Sequence, residues 1–285
     1  MSSSTTDNQK LIDFLSTAQQ FRVRTGNISA WGDLKLRTFN NPSDELVECL
    51  KLQIQKWHPS DEDLAKAQQA TGGFSLCQGP WCMSCQAISQ YPRDELKITA
   101  KAFLSKPDAD DVRECLLALK RDLAVEHAEQ LIVALPPPDP DAIAPPSPAG
   151  QFEKMWPHLE KLVSEGHVAA LGVADLMADD LKAIWQRAPN FKPLVNHYNI
   201  VACCAVPPEL TEFAKQHDIV LLTHNDPHPF LTSEQVEEIF TQYLNVSSEL
   251  ARCWEAAWAG RYTVMIKSRS VIAGKGYIVH FQKKQ

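Results

Sequence analysis

From residue 96 onward, short apolar runs alternate with amphipathic stretches. The runs at Leu96–Leu104, Gln130–Leu135, Val168–Ala174, Pro193–Asn199, Ile219–Thr223 and Arg261–Ile266 are too short for helices and carry β-branched residues, as buried parallel strands do. Between them, Ala109–His127, Phe152–Glu165, Leu176–Arg187, Pro208–His217, Ser233–Tyr243 and Ser247–Ala259 have the pattern of helices with one apolar face. Thr232 and Gln235 form a capping box, in which a hydroxyl and an amide satisfy the free backbone donors of a helix start. Pro207 and Pro208 suit a first helical turn.

Strands alternating with helices predict a parallel sheet with helices packed outside it. No Gly-x-Gly-x-x-Gly follows a strand and no Gly-x-x-x-x-Gly-Lys-Ser/Thr occurs, so neither a Rossmann dinucleotide site nor a phosphate-binding loop has its signature. The expected architecture is a (β/α)8 barrel whose N-terminal strands are degenerate. Ile28–Arg37 reads as an early strand there, and Gln9–Val23 and Asp44–Trp57 read as helices. Residues 136–148 hold seven of the 19 prolines and predict an extended loop, because proline neither donates to a ladder nor continues a helix. The chain is read as one domain over residues 1–285, with 1–8 disordered and 136–150 a Pro-rich loop within the barrel.

Composition narrows the function classes. At 285 residues and 44% hydrophobic the chain has ample material for a core, which excludes disorder for most of it. No stretch approaches the ~18 apolar residues that span a bilayer, and Met1–Gln9 is polar, so a cytoplasmic protein with no membrane partner is expected. The net charge of −7 is unevenly spread: Arg261, Lys267, Arg269, Lys275, Lys283 and Lys284 give residues 261–285 a charge of +6 without one acid, leaving −13 on the rest. That segment is either a basic strand and tail on an acidic globule or a docking strip for an acidic partner. Nucleic acid is not expected as a partner, since most of the surface would repel phosphate.

Candidate chemistry is sparse. Cys77, Cys82 and Cys85 lie close together but have no fourth ligand at zinc spacing and no preceding strand to aim a redox thiol, so they read as loop thiols, with redox sensing and metal binding as the alternatives. Cys203 and Cys204 follow a strand without an oxyanion-hole motif. Barrel enzymes act from strand C-termini, where this chain offers Asn196, His197 and the run Thr223-His224-Asn225-Asp226-Pro227-His228. Alternate side chains on one extended segment do not converge on an ion, so no metal site is expected. His224 and Asp226 either brace a pocket rim by hydrogen bonds or face a partner chain.

Several blocks carry a resemblance. Arg24-Thr25-Gly26-Asn27 with Trp31-Gly32, the run Asn199 to Gln216, Leu221-Leu222-Thr223-His224-Asn225-Asp226-Pro227, Ile266-Lys267-Ser268-Arg269 and Lys275-Gly276-Tyr277-Ile278 resemble the glutamate–cysteine ligase regulatory (modifier) subunit family, from about Arg24 to Phe281. That family looks like an aldo-keto reductase barrel that has lost its chemistry. The resemblance implies a non-catalytic regulator that pairs with the ligase catalytic subunit as a heterodimer, improves glutamate use and relieves glutathione feedback. It places Lys101 at the lysine of the reductase Asp-Tyr-Lys-His tetrad and Ala134 at its histidine, with no tyrosine on an earlier strand. No catalytic residue is therefore expected, and an NADPH-dependent reductase is the alternative. The resemblance also implies that Lys267 and Ser268 are a vestige of an NADPH 2′-phosphate contact. The arginine that completes such a site is missing, and Gly172-Val173-Ala174-Asp175 replaces the Gly-x-Ser-Asn of a nicotinamide cradle, so no cofactor is expected.

Overall fold

In the computed structural model, which describes residues 3–55, 74–76, 88–138, 143–201 and 205–284, nine strands form one sheet. They are β1 (Gln20–Arg24), β2 (Phe74–Leu76), β3 (Leu96–Leu104), β4 (Ala128–Ala134), β5 (Val168–Ala174), β6 (Val195–Asn199), β7 (Val220–His224), β8 (Trp254–Ile266) and β9 (Val271–Lys283), in the order β2-β1-β9-β8-β3-β4-β5-β6-β7. From β3 to β7 every pairing is parallel. Helices Ala109–Leu123, Pro148–Ser164, Ala178–Arg187 and Pro208–Gln216 make the crossovers. This is the barrel-type α/β pattern that the alternation predicts.

The two faces of the strands explain the sequence pattern. Ile98, Ala100 and Ala102 of β3, with Leu131 and Val133 of β4 and Leu171 and Val173 of β5, pack against Leu116, Phe152, Leu159, Leu181 and Leu210 of the crossover helices. The alternate residues Phe103, Ile132, Ala134, Ala174 and Val195 face the other way, into a second core. That core also takes in Leu46 and Leu50 of helix Pro42–Gln55 and Ile239 and Phe240 of helix Ser233–Tyr243. Gly172 lets the sheet curl, because a Cβ there would meet Val195 Cβ at 3.0 Å and Ile132 Cγ1 at 3.2 Å. Buried on both faces, these strands read as continuous apolar runs.

The departures lie at the two ends of the chain. Residues 254–283 form an antiparallel hairpin: β8 pairs with β3 and with β9, and β9 pairs with β1, all antiparallel. Arg261–Ile266 is thus half of a longer strand that runs against β3. The helix expected over Ser247–Ala259 stops at Arg252. The run Trp254–Gly260 is almost wholly buried, and a short apolar run of that kind has no polar alternation to distinguish strand from helix. At the other end, helix Ser3–Thr17 starts inside the stretch expected to be disordered and stops before Val23, where β1 takes over by pairing with β9. Ile28–Arg37 is not a strand: Asn27 accepts from the Ser29 N–H and starts a 3-10 turn, followed by helix Gly32–Lys35.

The hairpin takes part of the basic segment into the sheet and leaves Lys267, Arg269 and Lys284 exposed. Arg261 is ion-paired inward to Asp226, and Lys275 to Glu45 at 2.5 Å. Lys283 donates to the Ser16 carbonyl at 2.7 Å and lies over the Trp254 ring. The segment is mainly a central pair of strands. The Pro-rich loop leaves the C-terminal end of β4 as expected, and the following helix starts at Pro148 with Ser147 as its cap. No helix among the described residues is long and apolar enough to cross a membrane.

Candidate functional site

Three neighbouring strands set Lys101, Arg261 and Tyr277 side by side, through the ladder pairs Lys101–Arg261 and Arg261–Tyr277. The curl of the sheet brings β6 and the segment after β7 against them. Asp226, fully buried, accepts from Lys101 Nζ at 2.7 Å and from both terminal nitrogens of Arg261 at 2.5 and 3.0 Å. His197 Nδ1 lies 3.3 Å from Lys101 Nζ. The backbone N–H of Asp226 donates to His224 Nδ1, and Asn199 Nδ2 donates to the Asp226 carbonyl. Asp175, at the end of β5 with φ 62, which aspartate tolerates better than most residues, holds His224 Nε2 at 2.9 Å and His228 Nε2 at 2.6 Å.

Burial and charge fix the protonation of this cluster. Burial, with Arg261 adding to it against the pull of Asp226, brings the Lys101 ammonium down to about 8. Burial and the nearby Lys101 hold His197 down to about 3, so it is neutral. His224 is raised despite its burial, because the carboxylates of Asp175 and Asp226 beside it favour its charged form. Asp226 and Asp175 are held well below the usual carboxylate range against burial, Asp226 by His224, Arg261 and Lys101 and Asp175 by His224 and His228. The cluster is a buried ion network in which one carboxylate serves two cations.

His197, His224 and Asp226 have ligand atoms within 4.8 Å of one another. The Lys101 ammonium already stands between Asp226 and His197, and Arg261 holds the other carboxylate oxygen. A second cation there would meet two positive charges at close range, so the donor set suits the network and not an ion.

Above the network, at the end of β3, two aromatic rings cover Lys101. Phe103 and Phe230 stack with centroids 3.7 Å apart and planes 8° from parallel. Both rings are buried, and Lys101 Nζ and Arg261 lie against the Phe103 ring at 4.9 and 5.3 Å. Ala134 is the ladder partner of Phe103 and is buried as well. Tyr277, which the order of elements along the chain gave no reason to place here, is two strands from Lys101. It is fully buried, and its hydroxyl donates to Glu45 at 2.5 Å. Burial and Glu45 push its phenol well above the ordinary value.

Of the residues singled out in the sequence, Lys101, His197, His224 and Asp226 come together. Lys267 and Ser268 do not join them: because β8 runs against β3, they sit in the exposed turn at the N-terminal end of β3, where Lys267 Nζ donates to the Asp94 carbonyl at 2.7 Å. Cys77, Cys82, Cys85, Cys203 and Cys204 lie outside the described residues. Asp175, Arg261 and Tyr277 were not read as members of this site. The signal for Arg261 was a lone charge in an apolar strand, which burial obliges to find a counter-ion.

The profile of the aldo/keto reductase family matches residues 83–272. The chain is 30% identical over 287 residues to the glutamate–cysteine ligase regulatory subunit of Homo sapiens, covering 98% of both chains. To the rat protein of that name it is 30% identical over 281 residues, again over 98% of both. Among solved structures, aldose reductase from Schistosoma japonicum is similar at 20% identity and a TM-score of 0.38, over 48% of each chain. The family profile over two thirds of the chain and the likeness to these regulators over 98% of it give the assignment: the chain belongs to the aldo/keto reductase family, within its glutamate–cysteine ligase regulatory subunit group.

Proposed function

We propose that the chain is a non-catalytic regulatory subunit that binds the glutamate–cysteine ligase catalytic subunit, raises its affinity for glutamate and weakens its inhibition by glutathione. The observation that carries this reading is the 30% identity to the human regulatory subunit over 98% of both chains. Regulation of that kind needs the chain to bind one conformation of the catalytic subunit more tightly than another, and the coupling is reciprocal: glutamate then strengthens the association. The reading takes residues 1–285 as one domain, in keeping with the pairing of β1 to β9. The test is co-purification with a catalytic subunit followed by glutamate titration in the presence and absence of the chain. An unchanged glutamate KM and unchanged glutathione inhibition in a complex shown to form would overturn it.

The rival, NADPH-dependent carbonyl reduction, needs a proton donor exposed to substrate beside Lys101. Tyr277 is buried against Glu45, Ala134 carries no proton, and the Phe103–Phe230 stack covers Lys101. Nor do Lys267 and Ser268 fit an NADPH phosphate: they are on a turn at the opposite end of β3, with the ammonium bound to a backbone carbonyl. Purified chain with NADPH and a panel of aldehydes is expected to show no turnover above background, and turnover lost in Lys101→Met would reinstate the reductase.

A further inference from the structure

The curled face that holds the ion network has a second polar region. Toward the N-terminal end of β3, side chains on the same face as Lys101 enclose a cavity of about 260 Å³. Lys97 and Thr99 of β3, Gln130 of β4 and Thr263 of β8 line it beside apolar Ile132, Leu222 and Met265, with Lys101 and Arg261 at its deep end. Depth is readable from exposure: Leu222, on the wall, is 38% exposed, whereas Lys101 is 3% exposed. In an α/β barrel, inward-facing layers are normally filled by branched apolar side chains. Here the sequence spends five polar or charged positions on two adjacent strands, at Lys97, Thr99, Lys101, Arg261 and Thr263.

Charge and hydrogen bonding point the same way. Among the described residues, no carboxylate lines the cavity. Lys101 and Arg261 share the single carboxylate of Asp226, and Asp175 is taken up by His224 and His228, which leaves positive charge in excess at the deep end. Lys97 makes no ion pair among the described residues. Gln130 Oε1 accepts from Thr99 at 3.2 Å, which leaves the Gln130 amide nitrogen to donate. A cavity rich in donors, free of acids and carrying surplus positive charge is complementary to an oxyanion, and Lys and Arg supply charge-assisted hydrogen bonds to one. Its volume lies just under the ~300–1,000 Å³ of sites for drug-sized ligands, which suits a molecule the size of an amino acid or a four-carbon diacid.

We propose that this cavity is a binding site for a small carboxylate-bearing anion, its carboxylate held at Lys101 and Arg261 and its body on Thr99, Gln130 and Thr263, with Lys97 at the entrance. The site is entered from the side opposite the Phe103–Phe230 stack. An anion beside Lys101 favours its charged form, so binding takes up protons above about pH 8 and weakens as the pH rises further. The assignment concerns the chain alone and stands apart from its pairing with a ligase.

The test is titration calorimetry of the full chain at constant ionic strength with succinate, acetate and inorganic phosphate. Saturable one-site binding of succinate is expected, weakened at least about tenfold by Lys97→Met, the loss of one charge-assisted hydrogen bond. Thr263→Phe, which fills the cavity, is expected to abolish it, and Gln130→Leu serves the same purpose if that variant does not fold. No saturable heat with any carboxylate, or phosphate binding in their place, overturns the proposal. So does succinate binding that Lys97→Met and the filled variant leave unchanged.

Discussion

At the C-terminal end of β3, Phe103 lies under Phe230 and over two paired cations; six residues earlier on the same face, Lys97 stands half exposed at the entrance of a cavity. The first end is where barrel enzymes do chemistry. Here its polar groups are buried, bonded to one another and roofed by aromatic rings. The second end is where barrels are usually packed for stability, and here it is polar and open. The contrast teaches that charge at a strand end need not be open to a ligand. A lysine buried in the core obliges the fold to supply a counter-ion, and Asp226 with its histidine neighbours serves that need.

The largest effect is expected at the closed end. Asp226→Ala leaves Lys101 and Arg261 buried without their shared carboxylate and should cost about 3–5 kcal/mol, read as a fall in the denaturant midpoint. This is well above the ~1 kcal/mol of a lost turn cap. Adding Lys101→Met should recover part of that loss; a double variant no better than the single one would show that Asp226 acts on something other than charge. Next in size is Phe230→Ala, expected to cost about 3 kcal/mol by removing a buried ring from the stack. The same variant exposes Lys101, so it is also the most favourable background in which to look for carbonyl reduction, and none is expected.

Acid should unfold the chain through its buried neutral histidines. His197 and His280 are held down to about 3 and 4, chiefly by burial. A base whose folded value is depressed contributes stability above its unfolded value near 6.5 and loses it as the pH falls toward the folded value. His224, raised, works in the opposite sense and contributes below 6.5. The net expectation is a loss on the order of 2 kcal/mol between pH 6.5 and 5, read as a falling melting temperature, and His280→Gln should flatten the slope. The smallest effect belongs to the open end: Lys97→Met should change stability by less than about 0.5 kcal/mol. A large loss there would mean that the two ends are equally structural.

How much was legible follows the same division. The parallel strands and their crossover helices were read from local pattern, to the residue for Val168–Ala174 and for Ser233–Tyr243 with its capping box. What escaped depends on distant pairing. Gln20–Arg24 continues a helical pattern and becomes a strand only because β9 lies beside it, and the direction of β8 is set by β3 and β9, not by anything near it. The network was half visible: His224 and Asp226 share a motif, and Lys101 stood out by resemblance. Asp175 and Arg261 join it only through the curl of the sheet. The sense of the hairpin also decided the fate of Lys267 and Ser268, which a parallel strand would have carried to the other end.

The hairpin has a consequence for how the chain is made. Arg22 of β1 hydrogen-bonds His280 of β9, and between β1 and β3 there is nothing but β8 and β9. Until residues 254–283 have left the ribosome, β1 and β3 both present open edges, and an unpaired edge is a template for pairing with another chain. Folding of the sheet therefore waits for β8 and β9, and contacts across so long a stretch of sequence close slowly. During that interval the nascent chain is most exposed to misassembly, and a stop codon ahead of residue 271 would remove the middle of the sheet, not its margin.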